Sequence, residues 1–135
     1  MVVLWLGASH LAVAQQEDDE AKKRFLQGVA LFQDEHYEGA LVEFQASYDA
    51  NPKWGLHYNL GLTLQALHRY VEAAEQFELY LEKGGDEIEP DRRVEVEEIL
   101  DDLQSVIGKL DVNCDVEGAD VYLDGEKVAT TPLDA

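Results

Sequence analysis

The chain has 135 residues, a hydrophobic content of 46% and a formal net charge of −19, with 29 acidic residues against 10 basic ones. That length allows one ordinary domain, or a small domain with an appendage. A surface this negative repels phosphate backbones and anionic lipid headgroups, which argues against nucleic-acid binding; a well-solvated helical surface is the plain reading, with cationic partners or loosely held divalent ions as the other.

Residues Val2 to Ala14 form an apolar run ending in Ala12-Val13-Ala14, followed by Gln15-Gln16 and then acids. An apolar core closed by small residues is the pattern of a secretory signal peptide, and the run falls short of the roughly 20 apolar residues a membrane span needs. We therefore expect cleavage after Ala14, export to the periplasm or beyond, and no stable membrane insertion after cleavage. No Lys or Arg precedes the apolar core and no lipidation cysteine follows it; an uncleaved anchor and a buried N-terminal helix are the other readings. Residues 15–20 read as a linker.

From Ala21 to about Lys83 the chain is written twice. Gly28, Tyr37, Ala40 and Phe44 return as Gly61, Tyr70, Ala73 and Phe77, each 33 positions later. A period near 34 with small residues at fixed places marks stacked helix–turn–helix repeats. In the first copy Phe25, Val29 and Phe32 recur at helical steps, Asp34-Glu35-His36 turns the chain, and Ala40, Leu41, Phe44 and Tyr48 line a second helix that stops at Asn51-Pro52. In the second copy Leu56, Leu60, Leu64 and Leu67 line one helix, His68-Arg69 makes the turn, and Val71, Ala74, Phe77 and Leu81 line the next up to Gly84-Gly85. Mid-helix glycine costs about 1 kcal/mol relative to alanine, so Gly28 and Gly61 predict a close approach of the paired helix, against Ala40 and Ala73.

These residues resemble the tetratricopeptide repeat family: Gly28, Tyr37, Ala40, Phe44 and Pro52, then Leu60-Gly61, Tyr70, Ala73 and Phe77. Arg24 and His57 stand where the family often has an aromatic, Gln27 replaces a leucine, and Gly85 replaces a second proline. The resemblance implies a concave groove built from the first helix of each pair, taking a protein segment at Lys22, Phe25, Val29, Phe32, Tyr58, Asn59, Leu62 and Gln65. Asn59 matches an amide that grips a terminal carboxylate in some family members. Phe25 occupies the place of one lysine of that clamp, which disfavours a carboxylate-clamp adaptor.

Pro90 suits the first turn of a further helix, and Val96, Ile99, Leu100, Leu103, Ile107 and Leu110 recur at helical steps opposite Glu95, Glu98, Asp101 and Asp102. We read Asp91–Lys109 as a capping helix and 21–110 as one repeat domain. The period then becomes two: Leu110, Val112, Cys114 and Val116 alternate with polar residues, which predicts a half-buried strand with Cys114 as a small buried side chain. As the sole cysteine, Cys114 excludes an internal disulfide framework and a cysteine-rich zinc site. Val121 and Leu123 resume a strand, Asp124-Gly125 signals a hairpin turn, and Glu126 to Ala129 return.

The order Val116-Glu117-Gly118-Ala119, Val121 to Gly125, Val128 and Thr131-Pro132-Leu133 resembles the opening of a PEGA domain, with Val116 at the eponymous proline. Residues 111–135 thus read as part of such a β domain, a hairpin or sandwich segment, and the chain as a fragment of a longer protein. The expected fold is mainly α: two repeats and a capping helix, then this short β segment.

No nucleophile elbow, no paired histidines at metal spacing and no catalytic set appears, and Asp86-Glu87-Ile88-Glu89-Pro90-Asp91 lacks the pattern of a dedicated calcium loop. We expect no enzyme activity, no cofactor and no metal. The expected function is a non-catalytic adaptor or scaffold in the bacterial envelope with a protein partner in the groove. The alternative is a wall- or polysaccharide-binding protein acting through the β domain with the repeats as a spacer.

Overall fold

The computed structural model describes residues 7–108, 114–123 and 126–132, with side chains described from Gln15 onward except that of Glu126. Five helices follow one another: α1 Gly7–Gln33, α2 Tyr37–Ala50, α3 Leu56–Ala66, α4 Tyr70–Gly84 and α5 Pro90–Val106, with a single 3₁₀ turn, Gly85–Glu87, before α5. Strands β1 Asp120–Leu123 and β2 Glu126–Thr130 pair antiparallel. None of the described helices is long and apolar enough to cross a membrane.

Residues 15–20, read above as a linker, are instead helical and continuous with α1. No Gly or Pro interrupts the segment. Glu20 accepts from the Arg24 guanidinium one turn on, at 2.7 Å, the spacing at which opposite charges support a helix. Residues 7–14 form the first turns of the same helix, and Met1–Leu6 lie outside the described residues.

The 33-residue period is visible in the backbone itself. Glu35 and His68 adopt left-handed φ values of 61° and 60°. His36 and Arg69, which precede α2 and α4, share φ −87° and ψ 64°. His36 N–H donates to the Leu31 carbonyl at 2.8 Å and Arg69 N–H to that of Leu64 at 2.9 Å, while Glu35 and His68 N–H reach Phe32 and Gln65. These bonds satisfy carbonyls that the ends of α1 and α3 would otherwise leave open.

Each hairpin then closes around one ring. A Cβ on Gly28 would lie 2.7 Å from Cδ1 of Phe44, and one on Gly61 would lie 2.8 Å from Cε1 of Phe77. The close approach expected from the two glycines therefore exists, but its partners are the phenylalanine rings and not Ala40 and Ala73. Those alanines are themselves fully buried, as are Phe44 and Phe77. A ring lying on a helix needs more room than a methyl, and only glycine leaves it.

Leu56 and Leu60 of α3 bury themselves with Ala40 and Phe44, joining the first hairpin to the second. Val96, Leu100 and Leu103 of α5 pack with Phe77, Tyr80, Ile88 and Leu64, closing the far end. Val71, expected on the buried face of α4, is exposed, and Tyr80, not expected there, is buried. Ala74 and Phe77 are buried as expected and Leu81 packs against the core, so of that stripe Val71 alone departs from the expectation. The expected helix end at Lys109 lies outside the described residues, and α5 stops at Val106.

In the β segment the predicted first strand is not seen where it can be judged. Leu110–Asn113 lie outside the described residues, Cys114 and Asp115 are not in a strand, and Cys114 is exposed, contrary to the buried side chain expected. Among the described residues no layer covers this side. Asp124 and Gly125 also lie outside them, but the strands they join do pair, from Asp120 with Thr130 to Leu123 with Glu126. Beyond the sheet, Gly118 N–H donates to the Thr131 carbonyl at 3.0 Å and Thr131 N–H to that of Ala119 at 2.9 Å. No hydrogen bond among the described residues ties this hairpin to the helices.

Candidate functional site

Helical spacing on α1 places Asp18, Ala21, Lys22, Phe25, Val29, Phe32 and Gln33 on one stripe, at steps of three and four residues. On α3, Leu56, Asn59 and Leu62 form a second stripe. The two stripes face each other across two adjacent cavities. The first, about 360 Å³, is lined by Ala21, Lys22, Phe25 and Asp18 of α1 with Leu56 and Asn59 of α3 and Ser47 of α2 beneath. The second, about 260 Å³, is lined by Val29, Phe32, Asn59 and Leu62 with Phe44 beneath. Asn59 belongs to both, so they form one groove with a waist.

The floor of the groove is fixed from below. Ser47, fully buried, donates its hydroxyl to the Ala21 carbonyl at 2.8 Å and locks α2 under α1. Phe25 rests on Phe44 with ring centroids 5.8 Å apart, and Phe32 meets Tyr37 edge-on at 5.3 Å. At one mouth Asp18 accepts from Asn51 Nδ2 at 2.8 Å and from Lys53 Nζ at 3.0 Å, binding α1 to the loop between α2 and α3. Those hydrogen bonds, that of Lys53 foremost, hold the Asp18 carboxyl below its ordinary range.

Six of the eight residues expected to line a groove therefore do: Lys22, Phe25, Val29, Phe32, Asn59 and Leu62. Tyr58 and Gln65 line neither cavity. Tyr58 turns toward α5, donating its hydroxyl to Glu95 at 2.8 Å and accepting from Arg92 at 2.6 Å, with the guanidinium 4.6 Å above its ring. Burial and the Glu95 carboxylate raise the pKa of its hydroxyl above the usual tyrosine value. Tyr58 also packs on Phe77 and Tyr80, so it holds α3 to α4 and α5. Sequence reasoning missed Ser47, Asn51, Lys53 and Asp18. The helical stripe upstream of Lys22 would have pointed to Asp18, whereas Ser47 carries no signal in the sequence.

The groove offers apolar walls, the side-chain amides of Asn59 and Gln33, and a few rim charges. Its single hydroxyl, that of Ser47, is engaged on the Ala21 carbonyl, and no histidine lines it. No family model, no curated protein and no solved structure matches this chain.

Proposed function

We propose that this chain is a two-repeat binding module of the tetratricopeptide kind, exported to the bacterial envelope, where it holds an extended segment of a protein partner without acting on it. The observation that carries this reading is the groove: residues drawn from both repeats meet across Asn59, over a floor anchored by Ser47 and Phe44. Grooves of this kind take extended or helical segments through apolar anchor pockets.

The test is capture from envelope extract by the chain from Gln15 onward, compared with Asn59→Arg, which fills the waist, and Phe32→Ala, which removes one wall. Loss of the same captured protein with both variants, each still melting cooperatively, supports the groove. Equal capture by all three would send the function elsewhere. Export is tested by the mass of the protein recovered from the periplasm, which lacks residues 1–14 if the leader is cleaved.

A second reading rests on the hairpin. Val116, Tyr122, Leu123 and Val128 are all exposed there, and an exposed tyrosine on a short sheet suits stacking on sugar rings. Retention of glycan or wall material that disappears on deletion of residues 111–135 would move the function to this segment.

A further inference from the structure

A second groove runs on another side of the same stack and shares no residue with the first. It holds about 530 Å³ between α2 and α4, with Leu60 and Leu64 of α3 as its buried floor. Its two walls differ in character. The α2 wall presents Leu41, Val42 and Ala46, with Val42 65% exposed. The α4 wall presents Arg69, Glu72, Glu75 and Gln76. Val42 and Glu75 stand 33 positions apart, so the two copies of the repeat set an apolar residue and an acid at the same place.

Three carboxylates, of Asp49, Glu72 and Glu75, and one guanidinium, of Arg69, line this groove. Glu72 takes up the guanidinium: Arg69 Nε donates to Glu72 Oε1 at 2.7 Å and Arg69 Nη2 to its other oxygen. Among the described residues Asp49 accepts only from the Gln45 amide, at 2.9 Å, and Glu75 forms no ion pair and no side-chain hydrogen bond. Both side chains are exposed. Uncompensated negative charge therefore stands over an apolar floor. The net charge of −19 adds to that local field and does not oppose it.

We propose that the groove between α2 and α4 docks a basic segment of a protein partner through an arginine side chain. Its methylene stem lies along Ala46, Leu60 and Leu64, and its guanidinium reaches Glu75 and Asp49. A purely apolar anchor would strip water from those two carboxylates without replacing it. A compact cation would leave the apolar floor against water. A side chain with an apolar stem and a charged head meets both surfaces at once. Arginine suits the place better than lysine, because its planar fork pairs with carboxylates bidentately and is the more weakly hydrated. The groove is short: Val42 and Asp49 are seven positions apart on α2, about 10 Å at the rise of an α-helix, which fits the side chain of a crossing segment. The site is separate from the groove between α1 and α3 and does not depend on it, and the acidic field steers a basic partner toward it.

The experiment is selection of short random peptides, displayed on phage, against the chain from Gln15 onward, in parallel with Glu75→Lys, Glu98→Lys and Asn59→Arg. Glu75 and Glu98 are both exposed, so neither substitution touches the core. Glu98, on α5, lines neither groove. The two lysine variants change the net charge equally, which separates this groove from the overall field. The expected result is enrichment of arginine-containing peptides that disappears with Glu75→Lys and persists with Glu98→Lys and Asn59→Arg. For one selected peptide, Glu75→Gln should weaken binding by up to about fivefold, the scale of an exposed ion pair. Arginine enrichment that survives Glu75→Lys, falls equally with Glu98→Lys, or is lost with Asn59→Arg overturns the proposal, as does its absence. Arginine-free peptides lost only with Asn59→Arg overturn it while leaving the groove between α1 and α3 standing.

Discussion

The two helical hairpins share one backbone plan and differ in how they treat charge at the same place. Arg24 and Glu43 in the first hairpin stand 33 positions before His57 and Gln76 in the second. In both, a side chain of the first helix meets one of the second. Arg24 Nη1 donates to Glu43 Oε2 at 3.2 Å, with the guanidinium side chain 39% exposed. His57 Nδ1 lies 2.8 Å from Gln76 Oε1, with His57 only 4% exposed, against the Tyr48 ring and within 3.1 Å of Lys83 Nζ. The first hairpin is the open end of the stack, where water can solvate an ion pair. The second lies between α2 and α5, where burying two charges would cost several kcal/mol of desolvation each. An imidazole–amide contact fills the buried copy of the contact, and an ion pair fills the solvated one.

The outer faces follow the same rule. Leu56 and Leu60, buried against the first hairpin, correspond to Lys23 and Gln27 on α1, both exposed. The face that α3 uses for stacking is polar on α1, and no other described helix packs on it. Repeat assemblies require such a polar terminal face to stay soluble.

The largest expected effect tests whether the second hairpin is the more deeply held. Truncating Phe77→Ala or Phe44→Ala removes a fully buried ring, and each should cost about 3–5 kcal/mol in urea unfolding. Phe77 should be the costlier because its neighbours include Tyr58, Tyr80 and the α5 stripe. Equal losses would mean that α5 adds little to the second hairpin.

Next comes the polar contact itself. Gln76→Ala leaves the buried His57 ring nitrogen without that partner and should cost about 1–3 kcal/mol. Glu43→Ala leaves Arg24 still bonded to Glu20 and reachable by water, so the loss should stay below about 1 kcal/mol. A reversed order would break the contrast between the buried and solvated ends.

Gly28→Ala and Gly61→Ala pit helix propensity against the ring. Alanine gains about 1 kcal/mol in a helix interior, while forcing a methyl against Phe44 or Phe77 costs about 1–3 kcal/mol. Net destabilisation near 1 kcal/mol is expected for both, read as a lower melting midpoint. Loss only at Gly61 would show that the open end can shift to make room.

The smallest effect concerns the mouth of the groove. The Asp18 carboxyl is held below its ordinary value by Lys53 and Asn51. Its contribution to stability is therefore present above the unfolded aspartate value and is lost as pH falls through the lower, folded one. Asp18→Asn should flatten the acid limb of a melting-temperature profile slightly and leave neutral pH almost unchanged. An unaltered acid limb would remove the clasp as an element of the groove.

Most of the helical architecture was legible because its causes are local and repeated. Gly28 and Gly61, Ala40 and Ala73, Phe44 and Phe77 recur in register, and Pro52, Gly85 and Pro90 punctuate the helices by their own backbone preferences. The hairpin around Asp124-Gly125 was legible for the same reason. The stripe of groove residues on α1 could also be read, because period 3.6 alone puts Phe25, Val29 and Phe32 on one face.

What the sequence left open depends on which surfaces meet. Nothing in the spacing of α4 distinguishes Val71 from Tyr80 as the buried residue; α5 decides it by covering the side where Tyr80 lies. Tyr58 and Asn59 are adjacent in sequence, and the helix turns one toward α5 and the other into the groove. Cys114 carries an apolar pattern but is exposed, because alternation buries a side chain only where a second layer receives it, and none of the described residues supplies one. Composition, punctuation and period determined the elements and their repeat. Tertiary structure alone decided which face each element spends on the core and which it leaves exposed, since burial belongs to pairs of surfaces and not to residues.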